Sequence, residues 1–434
     1  MEYRLPLQEL QYRIATHPDK PYLHQPQNRV WRSLTWADVD EQARRIAKGL
    51  LDQGFQPGDR IALLGKNSPE WFIADFAIAM AGLVSVPIYT TAGVQTIEHV
   101  LSHSGARAIF LGALENTEAA EQALLPGLPR IALPEAQLPC EHQWRGWIEK
   151  HPALEKTVDA APSDTMTLVY TSGSTGLPKG VVLTHKNIAA SADACANDFA
   201  LTPDDRCMSY LPLAHITERC AVEWASVYGG DEIYFTESLD TFVDDVKHAR
   251  PTLFISVPRL WTRFQAGVLA KMPDNKLQRL LKIPLVSGFV ARKIRKNLGL
   301  DNCRLAGSGS APISPSILRW YHRLGVNICE GWGMTETSGM ACAAIPFEAS
   351  TIGSICRPIS CVEMKLSDED EILIRGDSVF TEYYKNPEAT AEVFSNDWFH
   401  TGDCASLDDK GVYRIIGRVK EQFKTGKGKY VAPV

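Results

Sequence analysis

The chain has 434 residues, 45% apolar and 22% charged, a balance typical of a soluble globular protein with room for two or three packed subdomains. Its formal charge of −6 leaves no domain-wide basic excess and argues against nucleic acid as a main partner. The ten cysteines are scattered without a Cys-x-x-Cys pair, so they suggest neither a zinc site nor a disulfide framework and read as reduced thiols of a cytoplasmic protein.

The first residues, Met1-Glu-Tyr-Arg-Leu-Pro6, lack the basic region, apolar run and small-residue cleavage site of a secretory signal, and none is expected. Residues 71–83 are almost wholly apolar. Ser68 supplies an N-cap, Pro69 the first helical position, Asp75 interrupts the run and Gly82 ends it. A helix of about thirteen residues falls short of the ~20 that span a bilayer. With strands predicted at 59–64 and 84–89 it forms a buried βαβ unit. Helix 96–104 then strand 107–111, and helix 241–249 then strand 252–257, continue the alternation. The fold class is therefore α/β, with mostly parallel sheets covered by helices. Residues 122–164 are polar and proline-dotted and read as a connection. Pro284 interrupts any helix through it, so the next helix is expected at 287–298. It carries Arg292, Lys293, Arg295 and Lys296 opposite Val290, Ile294 and Leu298. Such a face is either solvated or touches an anionic membrane or a polyanionic cosubstrate. From about 352 to 416 the pattern becomes a smaller β-rich subdomain, with strands at 362–366 and 371–375 and one helix at 386–394.

The most informative run is Tyr170-Thr-Ser-Gly-Ser-Thr-Gly-Leu-Pro-Lys-Gly-Val181, which follows a short apolar strand at 166–169. Gly173, Gly176 and Gly180 let backbone N–H groups approach an anion. Thr171, Ser172, Ser174 and Thr175 add hydroxyl donors and Lys179 a positive charge. Such a loop suits phosphate. Pro178 before the lysine and Gly180 after it break the Walker pattern and remove its Ser/Thr metal ligand, which disfavours a Walker-type NTPase. Further motifs follow in order: Leu211-Pro-Leu-Ala-His215, Gly307-Ser-Gly-Ser-Ala-Pro312, Glu330-Gly-Trp-Gly-Met-Thr-Glu336, Phe399-His-Thr-Gly-Asp403 and Gly417-Arg-Val-Lys420.

Together these motifs resemble those of the adenylate-forming superfamily: acyl-CoA synthetases, peptide-synthetase adenylation domains and firefly-type luciferases. The likeness runs from about residue 60 to the last residue, and 211–261 looks most like the bacterial long-chain fatty acyl-CoA synthetases. It implies an N-terminal-domain fold of that family and an ATP-dependent ligase that activates a fatty acid to acyl-AMP. Transfer to coenzyme A follows, with AMP and pyrophosphate as the other products. By the same resemblance Thr171, Ser172, Gly173, Ser174, Thr175, Gly176 and Lys179 hold phosphate, and Thr171 and Glu336 place Mg²⁺, a hard cation suited to oxygen ligands. Thr335 donates to the α-phosphate. Gly309, Ser310, Ala311 and Pro312 form one wall of an adenine slot. Glu330, Gly331, Trp332, Gly333 and Met334 form the other, and Asp403, Ile415 and Arg418 lie at the ribose. His215 lies beside the acyl carboxylate in the family, although a lone histidine is as often structural. Some relatives carry a gating tryptophan four residues beyond it, where this chain has Arg219, so that gate does not carry over. Trp224 and Val257 are candidates for an acyl tunnel and equally for core.

The resemblance divides the chain into residues 1–351, with the phosphate loop, adenine slot and tunnel; 352–416, the β-rich subdomain; and 417–434, a hinge with Lys420 at its pivot. Family members continue for roughly another hundred residues, so the chain reads as a large domain ending at the hinge and is expected to be poorly active alone. Delivery of the acyl group to a carrier protein or other acceptor, and a non-catalytic acyl-adenylate or ATP-binding protein, stay open. So do peripheral contact with the inner face of a membrane and the oligomeric state, a dimer included.

Overall fold

A computed structural model describes residues 3–171, 176–419, 423–424 and 430–431. Among the described residues, the strands form two large mixed sheets, a five-stranded antiparallel sheet, and the pair Phe423–Lys424 with Tyr430–Val431. The first large sheet runs, edge to edge, through Glu382–Tyr383, Lys179–Thr184, Thr165–Thr171, Val84–Pro87, Arg60–Leu64, Ala108–Leu111, Arg130–Ala132 and His142–Gln143. Its strands are parallel from Thr165–Thr171 onward and antiparallel at the other edge. The segment expected to be a connection, 122–164, instead supplies the last two of these strands and the helix Trp144–Lys150. The strands are only three and two residues long, too short for alternation to register in the sequence.

The second large sheet places Arg206–Ser209, Leu253–Ser256, Leu305–Ser308 and Ile328–Trp332 side by side, with the first three successive pairs parallel. Between the two sheets lies the helix Pro69–Met80, every residue of which is buried. Ser68 caps it by accepting from Trp71 N–H. Phe72 meets Phe235 of the second sheet edge-on at 5.1 Å, and Phe76 meets Trp224 at 5.0 Å. A helix covered on both sides has no solvent face, which is why its sequence is apolar all round. Among the described residues, no helix is long and apolar enough to cross a membrane.

The far face of the second sheet is covered by the helices Phe242–Ala249, Pro258–Lys271, Val286–Leu298 and Pro315–Arg323, around a separate core containing Phe254, Trp261 and Tyr321. The five-stranded sheet holds Val362–Leu366, Glu371–Gly376, Phe394–Ser395, Trp398–Leu407 and Tyr413–Arg418. The helix near it spans Pro387–Val393, capped by the Asn386 side chain accepting from Ala389 N–H. One short strand from this region, Glu382–Tyr383, leaves it to pair with Lys179–Thr184 at the edge of the first large sheet.

Candidate active site

The phosphate-loop run joins two antiparallel strands, Thr165–Thr171 and Lys179–Thr184. Thr171 stands opposite Lys179, and Tyr170 opposite Gly180. Lys179 thus begins a strand and does not lie in the loop itself, so its backbone is fixed by the sheet. Gly180 is needed here because an added Cβ would lie 3.1 Å from Cζ of Tyr170. Gly176 has φ +139°, a conformation that side chains rarely adopt. Ser172, Gly173, Ser174 and Thr175, and the pivot residue Lys420, lie outside the described residues. His99 Nε2 donates to Pro178 O at 2.9 Å and steadies the loop from the neighbouring helix. Lys179 Nζ sits 4.9 Å from the ring centroid of Tyr383. Among the described residues no carboxylate pairs with it, which leaves its charge for an anion.

Glu336 lies in the short 3₁₀ turn Thr335–Thr337, just beyond the strand Ile328–Trp332. The chain doubles back so tightly that a Cβ on Gly333 would stand 2.4 Å from Gly339 O. Glu336 is buried; its Oε1 accepts from Tyr383 Oη at 2.8 Å, and its carbonyl accepts from Phe380 N at 2.8 Å. Thr335 is half-buried beside it, and Met334 N donates to Thr337 Oγ1 at 2.9 Å. Among the described residues no group of three or more His, Cys, Asp and Glu could form a metal cage. One carboxylate with its other oxygen unengaged by any described donor nevertheless suits Mg²⁺, which usually takes one or two carboxylates and completes its shell with phosphate and water.

The parallel strands Leu305–Ser308 and Ile328–Trp332 end side by side, with Ser308 opposite Glu330. The loops that leave their carboxyl ends, 309–312 and 331–334, are therefore neighbours, the position where open α/β sheets bind ligands. A Cβ on Gly309 would lie 3.2 Å from Gly331 O, and Ser310 holds φ +65°. Ser310, Ala311 and Pro312 are exposed, whereas Gly331, Trp332, Gly333 and Met334 are half-buried. Glu330 Oε2 accepts from Gly353 N at 2.7 Å, and burial pushes its carboxyl up to about 7. Trp332 Nε1 donates to Asp403 Oδ2 at 3.0 Å. Arg418 Nε meets Asp403 Oδ1 at 2.7 Å, the two residues being cross-strand partners, and Ile415 packs into the same core. Four residues spread over 87 positions thus share one corner.

His215 caps the turn Ile216–Glu218, its Nδ1 accepting from Thr217 N at 3.2 Å. That bond assigns the proton of the neutral ring to Nε2, and burial lowers the pKa, favouring the neutral form. Gly339 brings this turn against the Glu336 segment, since a Cβ there would stand 3.2 Å from Ile216 O. Arg219 is interior: 1% exposed, it pairs with Asp75, lies 3.5 Å from Glu223, and donates to Thr167 Oγ1 at 2.6 Å. It is part of an ionic core. Sequence reasoning missed Glu218, fully enclosed, which accepts from Ser209 Oγ at 2.8 Å and Tyr210 N at 3.0 Å. It also missed Tyr383, whose local sequence is that of any strand aromatic.

A cavity of about 1440 Å³ opens between the second sheet and its outer helices, lined by Tyr210, Phe242, Val257, Leu260, Phe264 and Ile294 among others. Val257 is on its wall. Trp224 is wholly buried in the core between the sheets. The helix Val286–Leu298 contributes apolar residues to the cavity and turns most of its cations outward.

The family model described as AMP-binding enzyme matches residues 10–384, and the chain belongs to that family. It is 33% identical, over 92% of its length, to long chain acyl-CoA synthetase 7, peroxisomal, of Arabidopsis thaliana, spanning 64% of that protein. It is 32% identical, over 93% of its length, to the long-chain-fatty-acid–CoA ligase FadD15 of Mycobacterium bovis, spanning 72% of it. The fold matches the inhibitor-bound N-terminal domain of FACL13 from Mycobacterium tuberculosis with a TM-score of 0.78 at 24% identity. That match covers 96% of this chain and 100% of that one.

Proposed function

We propose that this chain is the nucleotide- and acyl-binding part of an ATP-dependent long-chain fatty acid–CoA ligase. A fatty acid carboxylate oxygen attacks the α-phosphorus of ATP, the bond to the β-phosphate oxygen breaks, and pyrophosphate leaves. The coenzyme A thiol then adds at the acyl carbonyl with loss of its proton, and AMP departs. Two anions must meet in the first step, so positive charge and fixed donors are required. Lys179 and the hairpin turn at 171–176 supply these at the β- and γ-phosphates, and Thr335 donates at the α-phosphate. Glu336, with Thr171, would hold Mg²⁺, which supplies charge neutralisation across the phosphates. Trp332 offers a face to adenine, Asp403 and Arg418 face the ribose, and His215 Nε2–H orients the acyl carboxylate. Residues 1–351 carry Thr171, Lys179, His215, Trp332, Thr335 and Glu336, 352–416 add Asp403 as the β-rich subdomain, and 417–434, the hinge, contribute Arg418 beside it.

The observation that carries the reading is the position of the cavity. Val257 on its wall follows Leu253–Ser256, which pairs in parallel with Leu305–Ser308. The acyl cavity and the adenine loop 309–312 therefore leave the carboxyl ends of adjacent strands, with Gly309 N donating to Ser256 O at 3.3 Å. Tyr210 connects the same cavity to the run ending at His215. Each methylene buried there contributes roughly 0.8 kcal/mol, which favours long chains. At the rim, Leu239 and Phe289 are 84% and 69% exposed on the same lining as Lys247 and Lys293, a pairing suited to peripheral contact with an anionic lipid surface.

The test is acyl-CoA formation by the full-length protein across a panel of acids. A higher kcat/KM for palmitate than for acetate or benzoate is expected, with AMP release dependent on coenzyme A. Preference for acetate or benzoate overturns the assignment.

A further inference from the structure

Tyr383 lies on the two-residue strand that leaves the β-rich region to join the edge of the phosphate-loop hairpin, with Tyr383 opposite Val181. Its backbone is fixed on both sides: Tyr383 N donates to Thr390 Oγ1 at 3.0 Å, and Tyr384 N donates to Gly180 O at 2.7 Å. The side chain is buried. Its hydroxyl donates to Glu336 Oε1 at 2.8 Å, and its ring centroid is 4.9 Å from Lys179 Nζ. One aromatic side chain thus reaches two charged groups of opposite sign by two different forces, a charge-assisted hydrogen bond and the attraction of a cation to a ring face.

We propose that Tyr383 is a positioning residue that aligns the carboxylate of Glu336 through its hydroxyl and the ammonium of Lys179 through its ring. This rests on the reading in which Glu336 faces Mg²⁺ and Lys179 faces phosphate. At 2.8 Å from a carboxylate oxygen, the phenol hydroxyl is the donor of this bond. With Oε1 held by the phenol, Oε2 is the oxygen that would be offered to Mg²⁺, which usually takes one or two carboxylates. A lysine stem has many rotamers, and a ring under its ammonium narrows them before phosphate arrives. Because the backbone of Tyr383 is bonded to the hairpin, hairpin and carboxylate move together.

The two limbs separate by substitution in the full-length protein, with E336Q and K179A as references. Tyr383→Phe keeps the ring and loses the hydroxyl; Tyr383→Leu loses both. Calorimetric titration of ATP at graded Mg²⁺, and of pyrophosphate alone, reads each limb apart from turnover. Y383F is expected to raise the Mg²⁺ concentration for half-maximal ATP binding by ~10-fold, as loss of a partner behind a metal ligand commonly does, with pyrophosphate affinity within twofold. Y383L should show the same Mg²⁺ shift and a further ~2–5-fold loss of pyrophosphate affinity. In the E336Q background Y383F should add no Mg²⁺ shift. An unchanged Mg²⁺ dependence in folded Y383F overturns the proposal while E336Q still shifts, whereas no shift in E336Q overturns the underlying reading and the proposal with it. If Y383L does not fold, Y383F alone decides the matter through the hydroxyl limb.

Discussion

Trp332 Nε1 donates to Asp403 Oδ2 at 3.0 Å, and this bond ties the end of a strand in the second large sheet to the five-stranded antiparallel sheet. The tie continues to Arg418, whose Nε meets the other oxygen of Asp403 at 2.7 Å. Asp403 is 6% exposed, so its carboxylate is oriented before any nucleotide arrives. Under the proposed function, a ribose hydroxyl would donate to an acceptor already held by the indole and the guanidinium.

Asp403→Ala should therefore weaken AMP binding far more than pyrophosphate binding. Hydrogen bonds to a charged acceptor contribute about 1.5–3 kcal/mol each, so a loss of ten- to a hundredfold for AMP is expected. Trp332→Phe, which keeps a ring face and drops the donor, should cost less. Calorimetric titration with each ligand checks the contrast, and equal losses for AMP and pyrophosphate would instead indicate general disruption.

Glu336→Gln keeps side-chain volume and removes the charge that a hard cation favours. The Mg²⁺ requirement of ATP-dependent pyrophosphate exchange should rise by at least ~10-fold, with little change in melting temperature. An unaltered Mg²⁺ requirement would place the metal elsewhere.

Glu218 predicts a pH dependence of stability. Burial raises its carboxyl to about 8, against about 4.3 in an unfolded chain. Between those values the folded state holds a proton that the unfolded state has released, so stability falls as pH rises across that window and levels above it. The slope is about 1.4 kcal/mol per pH unit for one proton. Glu218→Gln removes this term. Denaturant midpoints measured from pH 5 to 8 should decline less steeply in the variant, and parallel curves would refute the assignment.

Removing Arg219 leaves Asp75 and Glu223 buried without their cation. Breaking a buried pair in this way costs about 3–5 kcal/mol. Arg219→Ala should accordingly lower the denaturant midpoint strongly, whereas substitution of exposed Arg292 should not move it. A near-neutral R219A would refute the ion-pair account of this core.

Much of the architecture was legible in the sequence because local patterns carried it. Ser68-Pro69 starts a helix and Gly82 follows its end; Asn386-Pro387 starts another. The alternation of apolar runs with helices announced the parallel strands, whereas the antiparallel strand Lys179–Thr184 that follows the glycine- and hydroxyl-rich run was not announced. The strands at 130–132 and 142–143 were not legible, because they are too short for periodicity to show.

The sequence by itself determined the motif order and the residue types: a lysine beside glycines, an acid after Gly-Met-Thr, and an aspartate after Thr-Gly. Chemistry of that kind is local, a property of what each side chain can donate, accept or neutralise. Only the tertiary structure decided which of them meet. Tyr383 reaches both Lys179 and Glu336 because a two-residue strand crosses between sheets. Arg219 is an interior ion partner because a fully buried helix brings Asp75 to it. Val257, not Trp224, lines the cavity because the two lie on opposite faces of the second sheet. Such outcomes depend on pairing across long stretches of chain, where burial and hydrogen bonding are settled by the partner element and leave no periodic trace in either segment.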